Sequence, residues 1–304
     1  MIDYNEIPGS PEYLHFKNES EGYMFCSNGD VYDSDASLII YKTTDGGKSW
    51  EQIVSVDGYV FYGDSELYNN AIFGSIKSWE SMTKNKLFKL DLLTQEFKLL
   101  DFTIERLGNI WTKNDSVYLD FINDNVHYNM LKTDTDFSSY SLMPFSYIPK
   151  SNSVIGDSAN TYFITWENQF VIETNNQYKE IEIQKPTCIT KIDKDKILIA
   201  ANQYKPDAIN LFQYDLTNDQ LEKLHTFENY SIIKYLQSNE NVIVGFLGNI
   251  GGMFVDYDLV YSTDQGKTWQ IQKLKDSLMI SPNCLVDNIL YIYSGDRLQK
   301  ITFD

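Results

Sequence analysis

Arginine is nearly absent from this 304-residue chain. Of 25 basic residues only Arg106 and Arg297 are arginine, against 43 acidic ones, and the formal charge is −18. So acidic a surface repels phosphate backbones and anionic lipid headgroups, which excludes nucleic acid and membrane surfaces as natural partners. Cysteine is also scarce: Cys26, Cys188 and Cys284 are widely spaced and odd in number. They read as reduced, mostly buried thiols of a cytoplasmic protein and not as a disulfide framework. No apolar run approaches the roughly 18 residues needed to span a bilayer. The opening MIDYNEIPGSPEYLHF has neither the basic nor the apolar region of a secretory signal. His15, His127 and His225 show no paired spacing with cysteine or carboxylate, so no metal or other cofactor is expected.

Apolar residues make up 42% and aromatic residues 14%, enough for a core despite the charge. Twenty-two tyrosines and 17 phenylalanines beside Asn-rich loops favour strands over helices. Two nonapeptides near opposite ends organise the pattern: Lys42-Thr-Thr-Asp-Gly-Gly-Lys-Ser-Trp50 and Tyr261-Ser-Thr-Asp-Gln-Gly-Lys-Thr-Trp269. Both follow Ser/Thr-x-Asp-x-Gly-x-Ser/Thr-Trp, at Thr43, Asp45, Gly47 and Trp50 and at Ser262, Asp264, Gly266 and Trp269. LIIYKT precedes the first and WEQIVSV follows it, so each nonapeptide is a hairpin turn. The aspartates accept hydrogen bonds from backbone N–H groups, and the glycines suit positive φ. Each tryptophan opens the returning strand and covers apolar surface.

These two segments resemble the Asp-box, the bacterial neuraminidase repeat of sialidase-like and photosystem-assembly-factor-like β-propellers. Weaker copies lie between them: LFKLDLLTQEFKLL (87–100), MLKTDTDFSSYSL (130–142), FVIETNNQYKEIEI (170–183) and LFQYDLTNDQLEKL (211–224). Equating Trp50, Phe97, Tyr140, Tyr178, Leu221 and Trp269 gives steps of 47, 43, 38, 43 and 48 residues. That is the period of a four-stranded propeller blade. The tail SLMISPNCLVDNILYIYSGDRLQKITFD adds about three strands. The expected fold is therefore all-β: one domain, residues 1–304, forming a seven-bladed propeller, with six blades as the alternative. The N-terminal segment Ile2–Ile7 is expected to close the ring as the outer strand of the last blade.

The resemblance implies that the Asp-box joins the two outer strands of a blade and that function lies on the opposite face. Loops there are SNGDVYDSDAS (27–37), SIKSWESMTKN (75–85), DFINDNVH (120–127), WEN (166–168), NQYKPDAIN (202–210) and LGNIGGMFVDYD (247–258). They place Asp30, Tyr32, Asp33, Asp35, Trp79, Glu80, Asp124, Tyr204, Asp207, Asp256 and Tyr257 on one surface. Carboxylates interleaved with aromatic anchors suit a basic protein partner. Sialidases grip the substrate carboxylate with three arginines, and this chain has two in all. The expectation is a non-catalytic binding propeller, monomeric alone, of which an immunity protein against a basic toxin is one concrete form. The alternative is a glycoside hydrolase or lyase using carboxylates at the central channel, distinct from a true sialidase. DVYDSD (30–35) lacks the glycine and terminal glutamate of an EF-hand. LGNIGG lacks the lysine of a phosphate loop, so neither motif assigns a site.

Overall fold

The computed structural model describes residues 7, 9–30, 32–78, 81–123, 127–144, 147, 149–157, 159–175, 177–203, 207–249, 257–274, 283–294 and 297–303. Among these residues every regular element is a strand, and the strands form seven antiparallel sheets around a centre. Blade 1 holds β1 (Ser10–Phe16), β2 (Gly22–Asn28), β3 (Ser37–Thr43) and β4 (Glu51–Asp57). Blade 2 holds β5 (Tyr59–Tyr68), β6 (Ala71–Ser78), β7 (Ser81–Asp91) and β8 (Phe97–Ile104). Blade 3 follows with β9 (Arg106–Lys113), β10 (Ser116–Asn123), β11 (His127–Asp134) and β12 (Tyr140–Pro144). Blade 4 comprises β13 (Pro149–Gly156), β14 (Asn160–Thr165), β15 (Phe170–Thr174) and β16 (Gln177–Ile181). In blade 5 these are β17 (Pro186–Asp193), β18 (Lys196–Gln203), β19 (Ala208–Asp215) and β20 (Gln220–Glu228). Blade 6 is β21 (Ile232–Ser238), β22 (Ile243–Gly248), β23 (Tyr257–Ser262) and β24 (Gln270–Lys273). Blade 7 shows three strands, β25 (Asn283–Val286), β26 (Ile289–Ser294) and β27 (Arg297–Thr302).

This is the seven-bladed propeller that the repeat spacing predicts. The first strand of each blade lies innermost, and consecutive first strands from β1 to β21 adjoin, as do β1 and β25 across the ring's join. Apart from Ile7, the closing strand expected from Ile2–Ile7 lies outside the described residues. Ile7 itself is buried in the seam between blades 1 and 7.

Burial explains the sequence pattern of each blade. A second strand is covered on both faces by neighbouring blades, so it reads as an unbroken apolar run: GYMFCSN is buried over its first six residues and IVGFLG throughout. Outer strands such as QIQK are exposed along their length. Seven apolar clusters fill seven seams. At the ring's join Phe16 and Tyr291 stack with centroids 3.7 Å apart, and the Tyr291 hydroxyl donates to the Glu19 carbonyl at 2.9 Å.

The two nonapeptides close the β3–β4 and β23–β24 hairpins by one hydrogen-bond scheme. Thr43 Oγ1 donates to Asp45 Oδ1 at 2.8 Å and accepts from the Gly47 N–H at 2.9 Å. Asp45 then accepts from the Ser49 N–H at 2.9 Å and the Ser49 hydroxyl at 2.6 Å. Ser262, Asp264, Gly266 and Thr268 repeat these contacts at 2.6–2.8 Å. Gly47 (φ 82°) and Gly266 (φ 85°) adopt the left-handed backbone that the turn demands. Asp134 closes the β11–β12 hairpin likewise, accepting from Ser138 and Ser139 without any glycine; Phe137 takes the positive φ of 56°.

These bonds hold Asp45 and Asp264 down at about 2, the neighbouring Ser49 and Thr268 hydroxyls being the largest cause. A carboxylate depressed in the folded state contributes stability above its unfolded pKa and loses it as pH falls through the folded value. The protein is therefore expected to lose stability between about pH 4 and pH 2. A D45N/D264N double variant should flatten that decline in urea midpoints measured across the same range.

Candidate functional site at the channel mouth

The loops between second and third strands lie on the face opposite these turns. Asp30, Tyr32, Asp33 and Asp35 share the β2–β3 loop and are exposed, Tyr32 to 71%. Gly29, at φ 82°, turns the chain there. Asp33 braces the loop, its Oδ2 accepting from the Asp30 N–H at 2.8 Å. Asp207 is exposed at the end of the β18–β19 connection. Tyr257 is not a surface anchor: it is 6% exposed in the seam of blades 6 and 7, with the Lys234 ammonium 5.8 Å from its ring centroid. Trp79, Glu80, Asp124, Tyr204 and Asp256 lie outside the described residues. The loop read as 75–85 is also much shorter than its sequence suggests. β6 runs to Ser78 and β7 starts at Ser81, because polar residues on a blade's open end pair as readily as apolar ones.

A cleft of about 810 Å³ opens at this end of the channel between blades 1 and 2. Asp30 lines it together with Glu12, Ser27, Asn28, Phe61 and Tyr62. Glu12 comes from β1, whose alternating pattern turns from exposed to buried as the strand descends the channel. Solvent reaches its side chain from above, yet protein surrounds it inside the mouth, and that desolvation raises its pKa above the ordinary glutamate value. Tyr62, 46% exposed, stands at the rim with the Lys77 ammonium 4.6 Å from its ring centroid.

Deeper in the wall, His15 Nε2 lies 2.9 Å from Ser65 Oγ, and the Tyr13 ring lies 4.9 Å from the imidazole. Burial pushes His15 down to about 4, so it is neutral near pH 7. The wall below Glu12 is therefore uncharged and partly aromatic, and Glu12 is the ionisable group poised above it.

Glu12 and Tyr62 escape a reading of loops because they belong to strands β1 and β5. Only the alternation of SPEYLHF, with a glutamate among residues that turn inward, hints at Glu12. Trp166 in WEN is 62% exposed on the same face of blade 4; that short loop is named from the sequence, but its tryptophan is not among the residues the sequence nominates.

Among the described residues no group of three or more histidine, cysteine or carboxylate side chains is placed to hold a metal ion. Burial raises the thiols of Cys26 to about 12 and of Cys188 and Cys284 to about 11, which leaves them unreactive near neutrality. A second large cleft, about 880 Å³, lies on the opposite face along β27 and the Asp45 turn. Its wall includes Leu298, Gln299, Lys300 and Ile301 of β27, the outermost described strand of blade 7. No helix among the described residues is long and apolar enough to cross a membrane.

No protein-family model matches the chain, and no curated protein matches it in sequence. Solved structures match its fold. The β-propeller domain of the Trilobed protease from Pyrococcus furiosus superposes with a TM-score of 0.62 at 10% identity, over 97% of this chain and 96% of that one. An oligogalacturonate lyase, solved in complex with manganese, gives 0.63 at 11% identity over 94% of each chain. A prolyl endopeptidase gives 0.62 at 10% identity over 98% of this chain. This chain spans about half, 51%, of that peptidase's length.

Proposed function

We propose that this chain is a glycoside hydrolase that works at the channel mouth, with Glu12 as its acid and Asp30 as the second carboxylate. The observation that carries the reading is Glu12, a carboxyl group kept protonated to higher pH by desolvation within an open cleft that Asp30 also lines. Glu12 gives its proton to the glycosidic oxygen as the C–O bond breaks. Asp30 takes a proton from the water that adds to the anomeric carbon. Tyr62, exposed at the rim, supplies aromatic surface for a sugar ring.

Charge selects hydrolysis of neutral glycans over elimination from polyuronates. A mouth carrying Glu12 and Asp30 in a protein of formal charge −18 repels a polyanion but favours the positive charge that develops at the anomeric carbon. Lyase and peptidase propellers share the fold and lend the enzyme reading its precedent. The test is turnover against a panel of neutral glycosides and oligogalacturonides. Release of reducing ends from neutral substrates supports the reading, and inactivity on the whole panel overturns it.

A second reading rests on Tyr32, which is 71% exposed and flanked by Asp30, Asp33 and Asp35 on one loop. An aromatic anchor ringed by carboxylates suits a basic protein, as an immunity protein against a basic toxin would require. Its mark would be recovery of a stoichiometric basic protein from the native host, with association that weakens as salt rises.

A further inference from the structure

The seam between blades 3 and 4 differs from the other six. Among the described residues its buried apolar cluster comprises Trp111, Tyr118 and Met130, with Val154 packed against it, whereas each other seam holds eight or more. The seam also contains an ion pair. Lys113 Nζ lies 2.7 Å from Glu173 Oε2, with the side chains 9% and 12% exposed. Burying two charges is costly unless their geometry is close, and even then apolar packing of equal volume does as well. The inner strands β9 and β13 nonetheless meet tightly, since a Cβ on Gly156 would stand 2.4 Å from the Thr112 carbonyl oxygen. The seam is thus closed at the channel and open farther out, on the face that carries the Asp45 and Asp264 turns.

The opening is a pocket of about 210 Å³. Trp111 and Tyr118, stacked at 5.7 Å with 15° between their planes, and Met130 form its apolar wall. Lys113 and Glu173 cancel one another there. Lys132, also in the lining, has its ammonium 5.6 Å from the Tyr118 ring centroid and makes no ion pair among the described residues. The pocket therefore carries one net positive charge within a chain of formal charge −18. At this volume it falls below the roughly 300–1,000 Å³ of drug-sized sites.

We propose that this seam binds a small monocarboxylate with an aromatic or compact apolar body, its carboxylate on Lys132 and its body against Trp111, Tyr118 and Met130. Desolvation by the aromatic wall strengthens the contact between Lys132 and an anion, which no neutral or cationic molecule of the same shape can replace. The site lies on the face opposite Glu12, so it stands or falls independently of the hydrolase reading.

Benzoate is the probe, with benzamide and benzylamine as its neutral and cationic counterparts. Ligand-observed NMR and thermal shift are expected to show benzoate binding with a Kd of about 1 mM or tighter and the other two at least about ten-fold more weakly. Lys132→Gln should weaken benzoate by about ten-fold or more with the melting temperature unchanged, and Lys132→Arg should retain it. No benzoate binding at about 10 mM, equal binding of benzamide, preference for benzylamine, or an unaltered K132Q affinity would each overturn the proposal.

Discussion

Glu12→Gln is expected to lower hydrolytic turnover by about 10²–10⁴-fold, the ordinary contribution of a positioned general acid. The amide keeps the shape of the carboxyl group and removes the proton that the leaving oxygen needs, so kcat should fall while KM stays close to its original value. Stability should move the other way. Desolvation raises the folded-state pKa of Glu12, so its contribution is complete below the unfolded pKa and is lost as pH rises through the folded value. Above its raised folded-state pKa the wild-type protein holds a poorly solvated carboxylate that glutamine does not have. E12Q should therefore melt at the same temperature or slightly higher, a pattern typical of residues kept for function at a cost in stability. The alkaline limb of the wild-type pH profile should lie above that of an ordinary glutamate. Full activity in E12Q would exclude Glu12 as the acid.

Tyr291→Ala is expected to destabilise the fold by about 3–5 kcal/mol, as removal of a fully buried aromatic ring does elsewhere. Tyr291 is 0% exposed and stacks face to face on Phe16, so its ring ties the last blade to the first. Phe16 has nowhere to move, because Gly22 leaves its ring so little room that a Cβ there would stand 2.7 Å from it. Tyr291→Phe keeps the stack and loses only the bond to the Glu19 carbonyl, so it should cost about 1 kcal/mol. Urea unfolding of both variants separates ring packing from the hydroxyl. Near-equal losses would place the stability of the join in the hydrogen bond and not in the stack.

The blade period was legible because its carrier is local. An Asp-centred turn satisfies its own backbone with side chains two to four residues away, so Thr43, Asp45, Gly47 and Ser49 write their geometry directly into the sequence. The Asp134 turn shows how far that local code stretches, since two serines reproduce the bonds where glycine and tryptophan are lacking. The boundaries of outer strands followed from it: β4, β8, β12, β16, β20 and β24 start within one residue of the positions equated by spacing.

The mouth was legible only in part. Asp30 and its loop were found because exposed acidic loops announce themselves. Glu12 was not, since a glutamate in a strand reads as an ordinary outward residue until the ring shows which way outward points. Tyr257 was misplaced for the converse reason: next to a polar loop an aromatic looks exposed, yet β23 carries it into a seam.

By itself, then, the sequence determined the class of fold, the number of blades and the absence of a three-arginine carboxylate grip, because turn chemistry, strand period and composition are properties of neighbouring residues or of the whole count. Which charges share a cavity only the tertiary structure decided. Glu12 and Asp30 line one cleft at the channel mouth, Lys113 meets Glu173 between blades 3 and 4, and Phe16 meets Tyr291 at the join. The members of each pair are 18, 60 and 275 residues apart in the chain. Closing a ring of blades brings such distant residues together, and no local pattern encodes the meeting.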